Sequence, residues 1–179
     1  MTFTEARFRL SQDLRERAAR TGKRYGWFSY VKLFLDPPAL AVAIFRIQAW
    51  LYAKRFVRLA GFLRNFNIIC FSIDIGSAAQ IDTGLIIYHP NCVVICDQCI
   101  AGKNLHLVHH NTISISPRPG ANPAVDRVVI EDDVILGCGS RLLGSLRIGA
   151  NSFIGANAIV TEDVPPFSFF VEEAFTHTD

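Results

Sequence analysis

The chain has 179 residues, half of them apolar, enough to bury one sizeable core without splitting. The formal net charge of +2 hides an imbalance: residues 1–72 carry thirteen Lys or Arg against four Asp or Glu, and residues 73–179 carry five against twelve. Five cysteines form an odd set that suits a reducing cytoplasm better than a secreted disulfide framework, and the longest strongly apolar run, Ala39 to Phe45, falls far short of a membrane span.

The N-terminus lacks the apolar core of a signal peptide, so none is expected. A polar amphipathic helix is predicted over about Thr4 to Lys23, ending near Gly26. Pro37 and Pro38 then break the chain and start a second helix. From Ala39 one apolar stripe keeps three-and-four spacing through Val42, Phe45, Ala49, Tyr52, Phe56, Leu59 and Leu63. Arg46, Lys54, Arg55, Arg58 and Arg64 lie opposite it or at its edge. Two readings stand: helices packed on the rest of the molecule, or a surface helix over residues 39–66 that also touches anionic lipid. A basic arm on an acidic body implies an anionic contact, whether membrane, glycan or neighbouring subunit. A nucleic-acid partner is not expected.

From Phe71 the period changes to six. Ile75, Ile81 and Ile87, then Ile95, Ala101, Leu107 and Ile113, then Ile130, Leu136, Leu142, Ile148, Ile154 and Val160 form thirteen aliphatic anchors. Such a period belongs to a chain wound round a triangular prism, one aliphatic side chain pointing inward from each short strand. The fold class is therefore mainly β, a parallel β-helix over residues 73–166 preceded by a helical basic arm over 1–72. Two interruptions occur: two extra residues at the corner holding YHPNC, and an excursion over 116–126 rich in Pro, Gly and Asn. Residues 167–179 read as a tail, with His177 inert in it.

His89 stands at the widened corner and His109 one coil above it, so the two are expected to stack near the inter-strand spacing of about 4.8 Å. Asp74 begins the face that follows that corner, fifteen residues before His89. An imidazole with a carboxylate at its second nitrogen is a general-base arrangement, although His89 could equally cap a corner turn.

The order IDIGSAAQIDTGLIIYHPNCVVICD, a loop, then VIEDDVILGCGSRLLGSLRIGANSFIGANAIVTEDVPP resembles the serine acetyltransferase group of hexapeptide-repeat transferases over residues 72–166. That resemblance implies a left-handed β-helix, a homotrimer with active sites between adjacent prisms, and acetyl-CoA as cosubstrate without a metal. It implies His89 as the base that deprotonates an acceptor hydroxyl, Asp74 as its partner, and CoA along corner positions Ser114, Gly137, Cys138, Gly139 and Ala156. Departures qualify it: Tyr88 stands where that family has an aspartate, Pro90, Asn91 and Cys92 follow the base, and Asp126–Arg127–Val128 replaces an Arg-His-Pro element. With its short arm the chain resembles more closely the colanic-acid and lipopolysaccharide O-acetyltransferases. That implies a sugar hydroxyl of an exported polysaccharide or its precursor as acceptor, with Tyr88, Asn91, His109 and Arg127 on the acceptor side. Serine is the alternative acceptor, and a non-catalytic scaffold the alternative of another class.

Two metal motifs are weighed. Cys92, Cys96 and Cys99 have the spacing of an iron–sulfur site but interleave with anchors, which favours packing. His106, His109 and His110 suggest a metal, but adjacent strand residues point to opposite faces, so His109 and His110 are not expected to share one.

Overall fold

The computed structural model describes residues 2–22, 35–115, 122 and 125–171. Most of the 116–126 excursion, the end of the first predicted helix and His177 lie outside them.

Helix α1 (Phe3–Thr21) starts where the Thr2 side chain accepts the Glu5 N–H at 3.1 Å and stops at Gly22, whose φ of 70° suits a residue without Cβ. Its inward face is Ala6, Asp13 and Arg17. Helix α2 (Pro37–Ala53) begins on the two prolines and is buried nearly all round. The predicted single stripe does not continue through one helix. The chain breaks at Lys54–Phe56, with Arg55 at φ 68°, and restarts as α3 (Val57–Phe71). The break turns the apolar pattern outward. Ala60 and Asn67 are buried against α2, and Leu59, Phe62, Phe66 and Ile69 lie exposed on the opposite side at three-and-four spacing.

The remaining chain winds round three parallel sheets. Face A holds β1 (Ile73–Ile75), β4 (Val93–Ile95), β7 (Thr112–Ser114), β10 (Arg141–Leu143) and β13 (Ile159–Val160). Face B holds β2 (Gln80–Ile81), β5 (Cys99–Ala101), β8 (Val128–Ile130) and β11 (Leu146–Ile148). Face C holds β3 (Ile86–Ile87), β6 (His106–Leu107), β9 (Ile135–Leu136), β12 (Phe153–Ile154) and β14 (Phe169–Phe170). Each strand pairs with the one above in a register that stacks anchors: Ile75 on Ile95, Ile87 on Leu107, Leu107 on Leu136. All thirteen anchors are buried, and they form one core with Val42 and Phe45 of α2. Strand β14 pairs with β12, so the prism runs on past residue 166.

An open coil leaves unpaired backbone groups at its end. Here side chains of α1 and α2 take them. Arg46 donates to the Ile81 and Asp82 carbonyls, both at 2.5 Å, Arg9 to Ile81 at 2.9 Å, Gln48 to Ile75 at 2.8 Å and Arg17 to Ile87 at 3.0 Å. Asp13 accepts the Gly84 and Leu85 N–H groups at 2.8 and 3.0 Å. Arg46 and Arg17 are themselves held by the buried carboxylates of Asp13 and Asp36. Part of the basic arm is therefore structural, and Arg46 is not a surface charge.

Candidate active site

Three corners recur in every coil, and the edge between faces C and A gathers most of the predicted residues. Its first corner, 88–92, holds Tyr88, His89 and Asn91; the next, 108–111, holds His109 and His110. The third, 137–140, holds Gly137, Cys138 and Gly139, and the fourth, 155–158, holds Ala156. Main-chain bonds tie the first corner to the second: His89 N–H to Val108 O at 3.0 Å and His110 N–H to Asn91 O at 2.9 Å. The His89 and His109 rings lie 5.8 Å apart and are tilted by 58°, so they are neighbours on successive coils but are wider apart than the expected spacing and not stacked.

The corner also requires a left-handed backbone at one point in each coil, three residues before the inward anchor of face A. Cys92, His110, Gly139 and Asn157 occupy it, with φ of 51°, 55°, 71° and 59°. This overturns the argument that His109 and His110 diverge. They stand on a turn, not a strand, and their Nδ1 atoms meet at 2.8 Å with ring centroids 5.0 Å apart. Among the described residues no three metal-ligating side chains are gathered.

Within the chain Asp74 has Arg64 as its hydrogen-bond partner. It points outward from the middle of β1, where α3 packs, and Arg64 Nε donates to its carboxylate at 2.5 Å. Arg64 also lies 4.0 Å from Asp97, one coil above. Among the described residues no hydrogen bond joins Asp74 to His89, and the spacing of fifteen alone could not reveal that an arginine ten residues upstream takes the carboxylate.

Tyr88, expected on the acceptor, has its ring edge-on to His106 at 6.1 Å. His106 lies under α1 with Glu16 Oε1 3.6 Å from its Nε2, and burial, then Arg20, push its pKa down against Glu16 and Asp133. Arg127 stands away from the histidine edge. It lies where the chain returns to face B, in a groove of about 400 Å³ lined also by Tyr52, Gln80, Asp97 and Gln98. Ser114 ends β7 on the way to that same edge. The predicted site is thus split over two edges of the prism. Cys99 is buried, which pushes its thiol pKa up, and Cys92 is exposed at the histidine edge.

Residues 127–162 match the family of bacterial transferase hexapeptide repeats. Those residues carry the hexapeptide repeat. It is 32% identical to the serine acetyltransferase of Mycobacterium tuberculosis over 139 residues, covering 78% of this chain and 59% of that one. It is 28% identical to the serine acetyltransferase of Escherichia coli over 126 residues, covering 70% of this chain and 45% of that one. The chain thus spans about half the length of these curated relatives. The crystal structure of the Neisseria gonorrhoeae serine acetyltransferase in complex with serine superimposes with a TM-score of 0.80 at 28% identity, covering 95% of this chain and 68% of that one. The fold is therefore a left-handed β-helix with an N-terminal helical arm. These relatives correct the expectation of a sugar acceptor: the likeness runs to serine acetyltransferases, not to the colanic-acid and lipopolysaccharide branch.

Proposed function

We propose that this protein is an O-acetyltransferase that moves an acetyl group from acetyl-CoA to the hydroxyl of serine or a close analogue. The observation that carries the reading is His89, with His109 packed beside it on the open edge of a prism that a serine-bound acetyltransferase shares. His89 takes the hydroxyl proton as the oxygen attacks the thioester carbonyl. Backbone N–H groups of the corners hold the oxyanion, and as the carbon–sulfur bond breaks His89 returns the proton to the thiolate. The pantetheine of CoA would run along Gly137, Cys138, Gly139 and Ala156, with Ser114 at its far side. His89 works in this reading without Asp74 as its hydrogen-bond partner.

The split of the site supports a homotrimer. Three prisms packed by rotation would set the histidine edge of one chain against the neighbour's Arg127 groove. The cysteine set fits a cytoplasmic enzyme. Tyr88 and Asp126–Arg127–Val128 stand where the family grips serine, so serine should bind weakly. For peripheral lipid contact, the candidate narrows to Lys54, Arg55 and Arg58 with the exposed stripe of α3.

The test is acetyl transfer by the pure protein to serine, read as free CoA thiol and as a gain of one acetyl group by mass spectrometry. His89→Ala is expected to lower turnover by about two to four orders of magnitude while CoA still binds. Near-native transfer by His89→Ala, or no acetylated serine from the unaltered protein, sinks the reading. A scaffold without chemistry is the second reading, favoured by the capture of Asp74 by Arg64; it predicts no thiol release with any acceptor.

A further inference from the structure

We propose that His110 is a positioning residue that fixes the ring of His109 over His89; the proposal rests on the acetyl-transfer reading above. Strand pairing sets the equivalence: Thr112 pairs with Val94 below and Arg141 above, so Cys92, His110 and Gly139 occupy one point of successive coils. Asn157 follows by the pairing of Arg141 with Ile159. The left-handed backbone at this point suits glycine and asparagine, which stand there in the third and fourth corners. Cys92 in the first corner and His110 in the second depart from that choice; of the two, His110 sets its ring against a neighbouring histidine.

The geometry gives the departure a purpose. In an extended strand His110 would point away from His109. At φ 55° it turns beside it, and the Nδ1 atoms meet at 2.8 Å. Two nitrogens at that distance share one proton, because a proton on each would set two N–H groups head to head. One Nδ1 then carries the proton and the other accepts it, so the tautomers of the two rings are linked and each ring is held in pitch by the other. His109 in turn packs on His89 at 5.8 Å. The chain His110–His109–His89 therefore runs from a turn locked by main-chain bonds to the ring of the proposed base. His110 touches neither substrate in this scheme; it acts through His109.

The corner supplies its own controls. His110→Asn and His110→Gly each place a residue that the same chain uses at the same backbone point, so both should fold and melt like the parent. Each is expected to lower kcat about tenfold, the worth of one lost hydrogen bond at a working group, with the KM for acetyl-CoA unchanged. In ¹⁵N spectra of ring-labelled protein, the balance of His109 tautomers should change between the parent and both variants. Unchanged kcat in both variants, or an unchanged His109 tautomer, overturns the proposal. If the parent transfers no acetyl group, the functional reading has failed, and the His109 tautomer decides the role of His110 alone.

Discussion

His106 is a histidine whose burial favours its neutral form. Its side chain is 2% exposed, and both ring nitrogens lack a hydrogen-bond partner. Burial lowers its pKa from 6.5, so the unfolded chain binds a proton at mildly acid pH that the fold refuses. The stability this gives is complete above about pH 6.5 and is lost as pH falls from there toward the depressed folded value, at up to about 1.4 kcal/mol per pH unit. Urea unfolding at pH 7.5 and 5.5 should show that loss in the parent and a smaller one in His106→Phe. Equal losses in both would remove His106 from the acid sensitivity. Two glycines make a second comparison. A Cβ on Gly137 would come within 2.8 to 2.9 Å of main-chain atoms of Ile154, Gly155 and Ala156, whereas one on Gly61 of α3 meets nothing within 4 Å. Gly137→Ala should cost about 1–3 kcal/mol by forcing two coils apart, and Gly61→Ala should gain about 0.5–1 kcal/mol. Thermal melts read both.

At the scale of the element, the first coil is closed by side chains. Arg46 reaches from α2 to two carbonyls of the prism and to Asp13 of α1, so one guanidinium joins three elements. Burial pushes the Asp13 carboxyl above the usual range, and Arg46 with the Gly84 and Leu85 N–H groups pulls it back. Arg46→Met would leave that carboxylate buried without its counter-charge, at a cost of about 3–5 kcal/mol. A loss below about 1 kcal/mol in urea unfolding would mean that the coil end is satisfied in another way. The arginine spacing was visible in the sequence, but its partner was not. Arg46 stands in a pattern that also suits a lipid-facing helix, and Asp13, thirty-three residues earlier, becomes its neighbour only when α1 folds across α2.

For the whole molecule, part of the charge imbalance is taken up inside the chain. Arg17, Arg46 and Arg64 are spent on Asp36, Asp13 and Asp74 inside the chain. Lys54, Arg55 and Arg58 remain exposed beside Leu59, Phe62, Phe66 and Ile69, and no acidic residue falls between Asp36 and Asp74. If that stripe meets lipid, the protein should float with anionic vesicles at low salt and release at high salt, each basic side chain contributing about 1 kcal/mol. No flotation at low salt would leave the stripe to another subunit. A sedimentation mass of three times the 19.9 kDa chain would fit the proposed assembly, and a monomer would leave the two half-sites unjoined.

The sequence by itself determined the prism. A period of six needs no long-range information, because each anchor faces inward by local geometry alone, and every one of the thirteen is buried. The same register even marks the left-handed corner three residues before an anchor, where Gly139 and Asn157 stand and where His110 could have been noticed. Pairings between parts wound in different ways were decided only in three dimensions. Arg64 captures Asp74 because α3 lies along β1, and Arg127 and His89 separate because successive corners of one coil fall on different edges. The helix break at Arg55, which divides the expected single stripe between two helices, carries neither proline nor glycine between Lys54 and Phe56. It is set by the packing of α3 back onto α2 and β1, a tertiary preference that overrides local helix propensity.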